Sequence, residues 1–363
     1  MAVTAQSGIF SFGGQSAKGT IAATYYQHRG QNIDLGIVSD DRIGPPEVGG
    51  ISTPTFPYRA GVSATGGALL NPRLENTIGW LFYGGMGAWS AEANKNVFGT
   101  TVTGMTAHTF IFSTTLDTYL PWMTFRKHIP GSSTTNDQGE IYIDSKILGM
   151  TIALPNDGPL TIRVDVMGRA IDTQFVGDPS WTYNNTLMED YQSIPVGCAT
   201  GGFFKVPDFS ASALPVVQAT FTIANQPLDP RQEKIFGSPY LEDITIIQRN
   251  LAVEMMVKWT DPQLYNSILT GSTNGTQWSA NPWVSDLDVY AVSGGLISTT
   301  GAPYQIRLMS EAVRYAVVGG IQLAGGQAVM MRIRGEAIAP SSGNFATIKL
   351  GNGANATQYT WPT

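Results

Sequence analysis

A pattern that occurs twice constrains this chain more than anything else in it. Asn71-Pro72-Arg73-Leu74 opens an apolar run to Tyr83, and Asp261-Pro262-Gln263-Leu264 opens another to Leu269. Downstream of each lies a hairpin with a similar ending, Met167-Gly168-Arg169-Ala170-Ile171 in one case and Arg334-Gly335-Glu336-Ala337-Ile338 in the other. Val329, Met331 and Ile333 stand where Ile162, Val164 and Val166 stand. The same elements in the same order imply a duplicated unit. A repeated unit with no obvious chemistry reads as a building block rather than an enzyme.

With 363 residues, the chain has length for about two domains. Its 42% hydrophobic content is enough for real cores, while only 13% is charged. The 41 glycines and 21 prolines punctuate many short runs, which favours a β-rich fold. So little charge implies a surface that is uncharged and polar, or partly covered by other subunits. The net charge is −6, and no cluster of Lys and Arg offers a clamp for nucleic-acid phosphates.

The expected organisation is a first module over residues 1–175, a linker over 176–205, a second module over 206–339 and a polar C-terminal tail over 340–363 that covers a neighbour. In the first module Asn71 reads as a helix N-cap with Pro72 at the first helical position. Leu74, Ile78, Leu81 and Phe82 make one apolar stripe, and Gly84-Gly85 ends it. Strands are expected at 33–38, 57–61, 108–113, 122–127, 140–143 and 147–154. Thr161, Arg163 and Asp165 then alternate with Ile162, Val164 and Val166, as in a sheet with one face on a core. In the second module strands are expected at 216–224, in two runs within 243–258, and in a closing hairpin over 304–323 and 328–338. Residues 271–303 read as loop.

The search for chemistry returns little. Cys198 is the only cysteine, which excludes an intramolecular disulfide and a cysteine-based zinc site, and it reads as a small buried apolar residue. His28, His108 and His128 lie far apart in unlike contexts and read as sheet or surface residues. Gly13 to Thr20 has the glycines and the lysine of a phosphate loop. The lysine is not followed by Ser or Thr, so a flexible N-terminal segment is the better reading. Asp40-Asp41 and the pair Asp286 and Asp288 read as solvated turn residues. Trp80, Trp89, Trp122, Trp181, Trp259, Trp278, Trp283 and Trp361 are spread over every segment and fit cores or subunit contacts better than a sugar platform. No catalytic residue, cofactor or metal site is expected. No basic and apolar leader opens the chain, and no run is long enough to span a membrane.

The order of these landmarks resembles a family. Gly49-Gly50, Pro57-Tyr58-Arg59-Ala60-Gly61, Asn71-Pro72, Gly84-Gly85-Met86-Gly87, His108-Thr109-Phe110, Leu120-Pro121-Trp122, Asp144-Ser145-Lys146-Ile147 and Met167-Gly168 follow one another as in the tail tube proteins of long-tailed, non-contractile bacteriophages. The match is best over about residues 10–175 and reaches the second module through the repeat.

The resemblance implies a mainly β (α+β) fold of two tandem β-sandwich modules, each with a flanking helix, whose inner strands join a ring-wide β-barrel around a DNA channel. Rings of single modules have six chains, so a tandem chain implies a trimeric, pseudo-sixfold ring. The implied partners are the chain itself, the tail terminator and tail-tip proteins, the tape measure protein inside the tube, and double-stranded DNA passing without specific binding. The implied location is the virion, after assembly in the host cytoplasm. The polar tip Pro130, Gly131, Ser132, Ser133, Thr134, Thr135 and Asn136 falls where the family extends a hairpin onto a neighbouring subunit, and is the expected contact loop. The alternative readings are another virion component (capsid, decoration, baseplate or fibre subunit) and a carbohydrate-binding β-sandwich protein.

Overall fold

In a computed structural model of the chain, the described residues are 8–45, 48, 50, 53, 56–75, 77–112, 120–133, 136–156, 158–171, 176–177, 181–184, 195–196, 202–207, 213–260, 262–273, 275–321, 328–340 and 344–362. The protein is mainly β. Among the described residues, all strands belong to one antiparallel sheet that is not closed into a barrel, and two helices pack on it.

The N-terminal half holds β1 (Ile9–Gly14), β2 (Tyr26–His28), β3 (Gly30–Ile33), β4 (Gly36–Ile43), β5 (Pro57–Leu70), α1 (Ile78–Met86), β6 (Gly87–Lys95), β7 (Thr101–Phe112), β8 (Met123–Ile129), β9 (Gln138–Leu154) and β10 (Thr161–Ile171). Then come β11 (Val176–Gly177), β12 (Pro195–Val196), β13 (Phe203–Lys205), β14 (Val216–Pro227), β15 (Ile246–Lys258), α2 (Gln263–Thr270), β16 (Val284–Leu296), β17 (Pro303–Val317), β18 (Met330–Ala337) and β19 (Thr347–Asn352).

The pairing order repeats. In the first half β4 pairs with β5, β5 with β10, β10 with β9, and β9 with β8. In the second, β14 pairs with β15, β15 with β18, β18 with β17, and β17 with β16. Each helix follows the second strand of its series. The register repeats as well: Gly168 faces Ala64 and Ser145, while Gly335 faces Val253 and Tyr315. The two series are joined side by side, because residues 149–154 of β9 pair with 224–219 of β14.

The alternation seen in the sequence sets the layers. Ile162, Val164 and Val166 of β10, Phe221 and Ile223 of β14, Val253 and Met255 of β15, and Met331 and Ile333 of β18 all lie in one continuous core. Burying side chains of this size contributes roughly 1.5–3 kcal/mol each. The opposite face of the same strands is polar.

The helices begin and end elsewhere than the sequence suggests. Asn71 is no N-cap; its Oδ1 accepts from Gln31 Nε2 at 2.8 Å, and α1 starts at Ile78. Gly84 and Gly85 lie inside the helix. A Cβ on Gly84 would stand 2.5 Å from Met123 Sδ, and one on Gly85 2.6 Å from Met150 Cε. The glycines therefore let the helix approach the sheet, and Gly87, at φ 91°, ends it. The second helix ends at Gly271 in the same left-handed conformation; the expected cap Asp261 lies outside the described residues.

Other expectations also change. The runs at 140–143 and 147–154 are one strand, bent at Asp144, whose φ of 51° is a conformation that aspartate tolerates better than most residues. The two runs expected within 243–258 are likewise one strand. Residues expected as loop supply β16, which pairs with β17. The 176–205 segment, expected as a linker, supplies β11 to the first series and β12 and β13 to the second. The 340–363 segment is no loose tail. Its β19 lies between β17 of the second series and β7 of the first, Tyr359 is fully buried, and Trp361 Nε1 donates to Gln15 O at 2.8 Å.

Candidate assembly surface

A sheet of this kind leaves backbone donors and acceptors without partners at its borders, and such borders attract other chains. Along the series β4-β5-β10-β9-β14-β15-β18-β17 two borders are open among the described residues. One is β4, whose described pairing is with β5. The other is the stretch after Tyr315. Strand β17 has β16 beside it as far as Arg314, Tyr315 N still donates to Trp283 O at 3.1 Å, and the continuation has β18 on the opposite side. Val38 of the first border and Val318 of the second are 49% and 41% exposed. The β4–β5 hairpin carries further exposed apolar groups, Ile43, Phe56 and Tyr58.

The junction inside the chain shows how such borders fit. Across it Gly149 faces Ala224, Met150 faces Ile223, and Thr151 faces Thr222. Asn225 Nδ2 donates to Ile147 O at 2.9 Å and to Gly85 O at 3.0 Å. Arg249 Nη2 donates to Met86 O at 2.8 Å and to Gly85 O at 3.0 Å, and its Nε to Asn225 Oδ1 at 2.9 Å. The guanidinium lies 4.0 Å from the centre of the Phe112 ring. A cation at a helix C-terminus is favoured by the unpaired carbonyls there. Burial pulls Arg249 down to about 10, which still leaves it charged at neutral pH. The second series thus grips the helix of the first.

The borders occupy matching places. Ile37 faces Ala64 on β5 as Phe221 faces Val253 on β15. Val317 faces Ile333 on β18 as Ile147 faces Val166 on β10. Residues 35–40 therefore sit where 219–224 sit. Val318 N donates to Arg332 O at 2.9 Å, so Val318 stands opposite Arg332 as Gly149 stands opposite Asp165, and residues 318–320 sit where 149–151 sit.

The described residues of the expected contact loop lie between β8 and β9 and are held by local hydrogen bonds. Gly131 N donates to Asp137 Oδ1 at 2.6 Å, and Asn136 N to Ser133 O at 2.9 Å. His128 Nε2 lies 3.0 Å from Asp137 Oδ2. Ser132, Ser133 and Asn136 are exposed, and Pro130 and Gly131 half-buried; Thr134 and Thr135 lie outside the described residues. This tip and the two open borders are different parts of the surface, and the sequence singled out only the tip. The borders carry no residue signature; they emerge only when the pairings are laid out.

The remaining candidates have structural work. His28 Nε2 accepts from Arg73 N at 3.3 Å while its Nδ1 lies 2.9 Å from Arg29 O. His108 Nε2 lies 3.1 Å from Asn352 Oδ1. Burial lowers both to about 4, so both are neutral at pH 7. Asp40 pairs with Arg42, Asp41 with Arg59, and Asp288 with Arg307. Far from being a flexible segment, residues 13–20 are pinned by buried Asp144, which accepts from Gly19 N at 2.6 Å and Gln15 Nε2 at 3.0 Å and pairs with Arg169. Lys146, at the bottom of an open groove of about 340 Å³ beside Trp122 and Trp361, is 1% exposed and donates to Ile244 O at 2.8 Å. Among the described residues no cluster of His, Cys, Asp and Glu could hold a metal ion, and no helix is long and apolar enough to cross a membrane.

No protein-family model matches this chain, and no curated protein matches it.

Proposed function

We propose that this chain is a structural subunit that joins copies of itself into rings, and that stacked rings form the tube of a long-tailed, non-contractile phage tail. One observation carries the reading. The chain contains two strand series of the same order, joined through a junction whose two halves recur, without a strand partner among the described residues, at its outer borders. A chain that ends in the two halves of its own internal joint is suited to repeat that joint with its neighbours. On this reading each series is the inner sheet of one tube module, the open sheet becomes a barrel only in the ring, and the chain works in the virion as a passive conduit.

The internal joint gives the external one its register. Val318, Gly319 and Gly320 of one chain meet Asp40, Ser39 and Val38 of the next, as Gly149, Met150 and Thr151 meet Ala224, Ile223 and Thr222. Six such series close the ring with three chains. The tail terminator, tail-tip and tape measure proteins are the partners this reading assigns to the ends and the lumen, with DNA in transit.

Cross-linking tests it. Val38→Cys and Gly320→Cys are combined in a Cys198→Ser background, and the assembled protein is oxidised or bridged by a short bifunctional thiol reagent. The expected product is a covalently closed trimer, with hollow filaments in electron micrographs of the uncross-linked protein. A chain that stays monomeric at high concentration, or a closed product of six chains, overturns the reading.

A further inference from the structure

The polar face of the double strand series has its charges arranged in a particular way. Its middle is small and uncharged: Gly149, Thr151 and Ala153 of β9, Thr220, Thr222 and Ala224 of β14, and Ala252 of β15. Arginines stand to either side, and each is held by a carboxylate. Arg163 Nη2 lies 2.9 Å from Asp34 Oδ2 and its Nε 2.8 Å from Asp165 Oδ1. Arg332 Nη2 lies 2.7 Å from Glu254 Oε2. Glu336 pairs with Arg314 through one oxygen and with Arg334, at 3.0 Å, through the other. Only Lys258, on the last turn of β15 toward the rim, stands on this face without such a pair among the described contacts.

These pairs are a poor device for stability. The side chains of Arg332, Arg334 and Glu254 are 57%, 52% and 47% exposed, and exposed ion pairs contribute about 0–1 kcal/mol. Their effect on the field is larger. A bare row of Arg314, Arg332 and Arg334 would gather phosphates and release counterions, which is how nucleic acid is held without regard to sequence. Carboxylates placed on the same guanidinium groups cancel that attraction locally.

We infer that this face is a charge-compensated wall for a double-stranded polyanion, on which Glu254 and Glu336 occupy the arginines that would otherwise retain DNA. The inference rests on the tube reading for the identity of the passing molecule, but its physical content does not depend on assembly. A wall of this kind differs from an acidic one: it neither holds the duplex nor repels it strongly, and it turns adhesive when two carboxylates are removed.

The test compares the whole chain with its Glu254→Gln/Glu336→Gln variant, using a short random-sequence DNA duplex and a salt series. A Glu92→Gln/Glu242→Gln variant makes the same change in net charge away from this face. The wild type and the control are expected to bind weakly. The face variant, with three arginines released, is expected to bind roughly tenfold tighter or more at about 50 mM salt, and to lose about 40-fold in affinity by about 200 mM. Its melting temperature should match that of the wild type, which shows that folding is intact. Equal binding by the face variant and the control overturns the inference, and so does tight, salt-sensitive binding by the wild type. Because binding is read on dispersed protein and tube formation on micrographs, failure of the wall and failure of the tube are separate outcomes.

Discussion

The ring of Tyr359 fills the space in front of Gly79: a Cβ there would stand 2.2 Å from Cζ of the tyrosine. The contact lets the last residues of the chain close over α1. Tyr359 is fully buried, with its ring edge-on to Trp80 at 5.7 Å and to His108 at 4.7 Å. Asn352, also buried, donates to Leu74 O at 2.9 Å and to the Tyr359 hydroxyl at 3.3 Å.

Gly79→Ala is therefore expected to destabilise the protein by about 1–3 kcal/mol, the usual cost of forcing an extra methyl into a packed site. Removing the chain after residue 345 should cost far more, since β19 and Tyr359 both go. Chemical denaturation of the two variants checks this. A truncated chain that melts like the wild type would return the segment to the role of a loose tail.

Arg249→Met removes the donor that serves two carbonyls at the end of α1. Gly85 O keeps the Asn225 amide, but Met86 O and Asn225 Oδ1 lose their arginine donor, and each buried acceptor left without a partner costs about 1–3 kcal/mol. A loss of several kcal/mol is expected, with weakened contact between the two strand series. Hydrogen exchange should show faster exchange along the β9–β14 pairing than along β10–β5. Uniform exchange across both would show that the arginine is not a tie between the halves.

Stability is expected to fall on mild acidification. His28 and His108 are held near 4 against an unfolded value of about 6.5, so the unfolded chain takes up protons first. Their contribution is complete above about pH 6.5 and is lost as pH falls toward 4. Each is worth at most roughly 3 kcal/mol over that window. The groups facing them are Arg73 and the Arg29 carbonyl for His28, and Asn352, Trp89 and Tyr359 for His108. Melting curves at pH 7 and pH 5 check the sign. His108→Gln, which keeps a donor toward Asn352, should flatten the pH dependence even where it lowers stability outright.

The tip between β8 and β9 can be separated from the borders. Deleting residues 131–136 removes exposed Ser132, Ser133 and Asn136 and leaves the β8–β9 pairing intact. The variant should fold, cross-link through Val38→Cys and Gly320→Cys as well as the parent does, and fail to stack into filaments. Normal filaments from this deletion would remove the tip from the assembly surface.

Much of the fold was legible because alternation is a local signal. Ile162, Val164 and Val166 mark a buried face without reference to anything else, and so do Phe221 and Ile223. The repeated Gly-x-Ala-Ile ending marked corresponding strands at Gly168 and Gly335. Gly84 and Gly85 were misread because a glycine that stops a helix and one that lets it lie against Met123 and Met150 look alike until the distant residue is in place. The C-terminal strand was missed for a related reason. Thr347–Asn352 is short, with only Ile348 and Leu350 alternating, and its place is set by β7 and β17, which lie far away in sequence. The borders at β4 and after Tyr315 are the extreme case, since a free edge is defined by what does not pair.

The β9–β14 pairing has one more consequence if rings form as proposed. Three of the six seams in each circle are then made while a single polypeptide folds, at the high effective concentration of tethered partners. Only the other three depend on encounters in solution. A dilute pool of such chains should nucleate circles at concentrations where an equal mass of untethered single units remains dispersed.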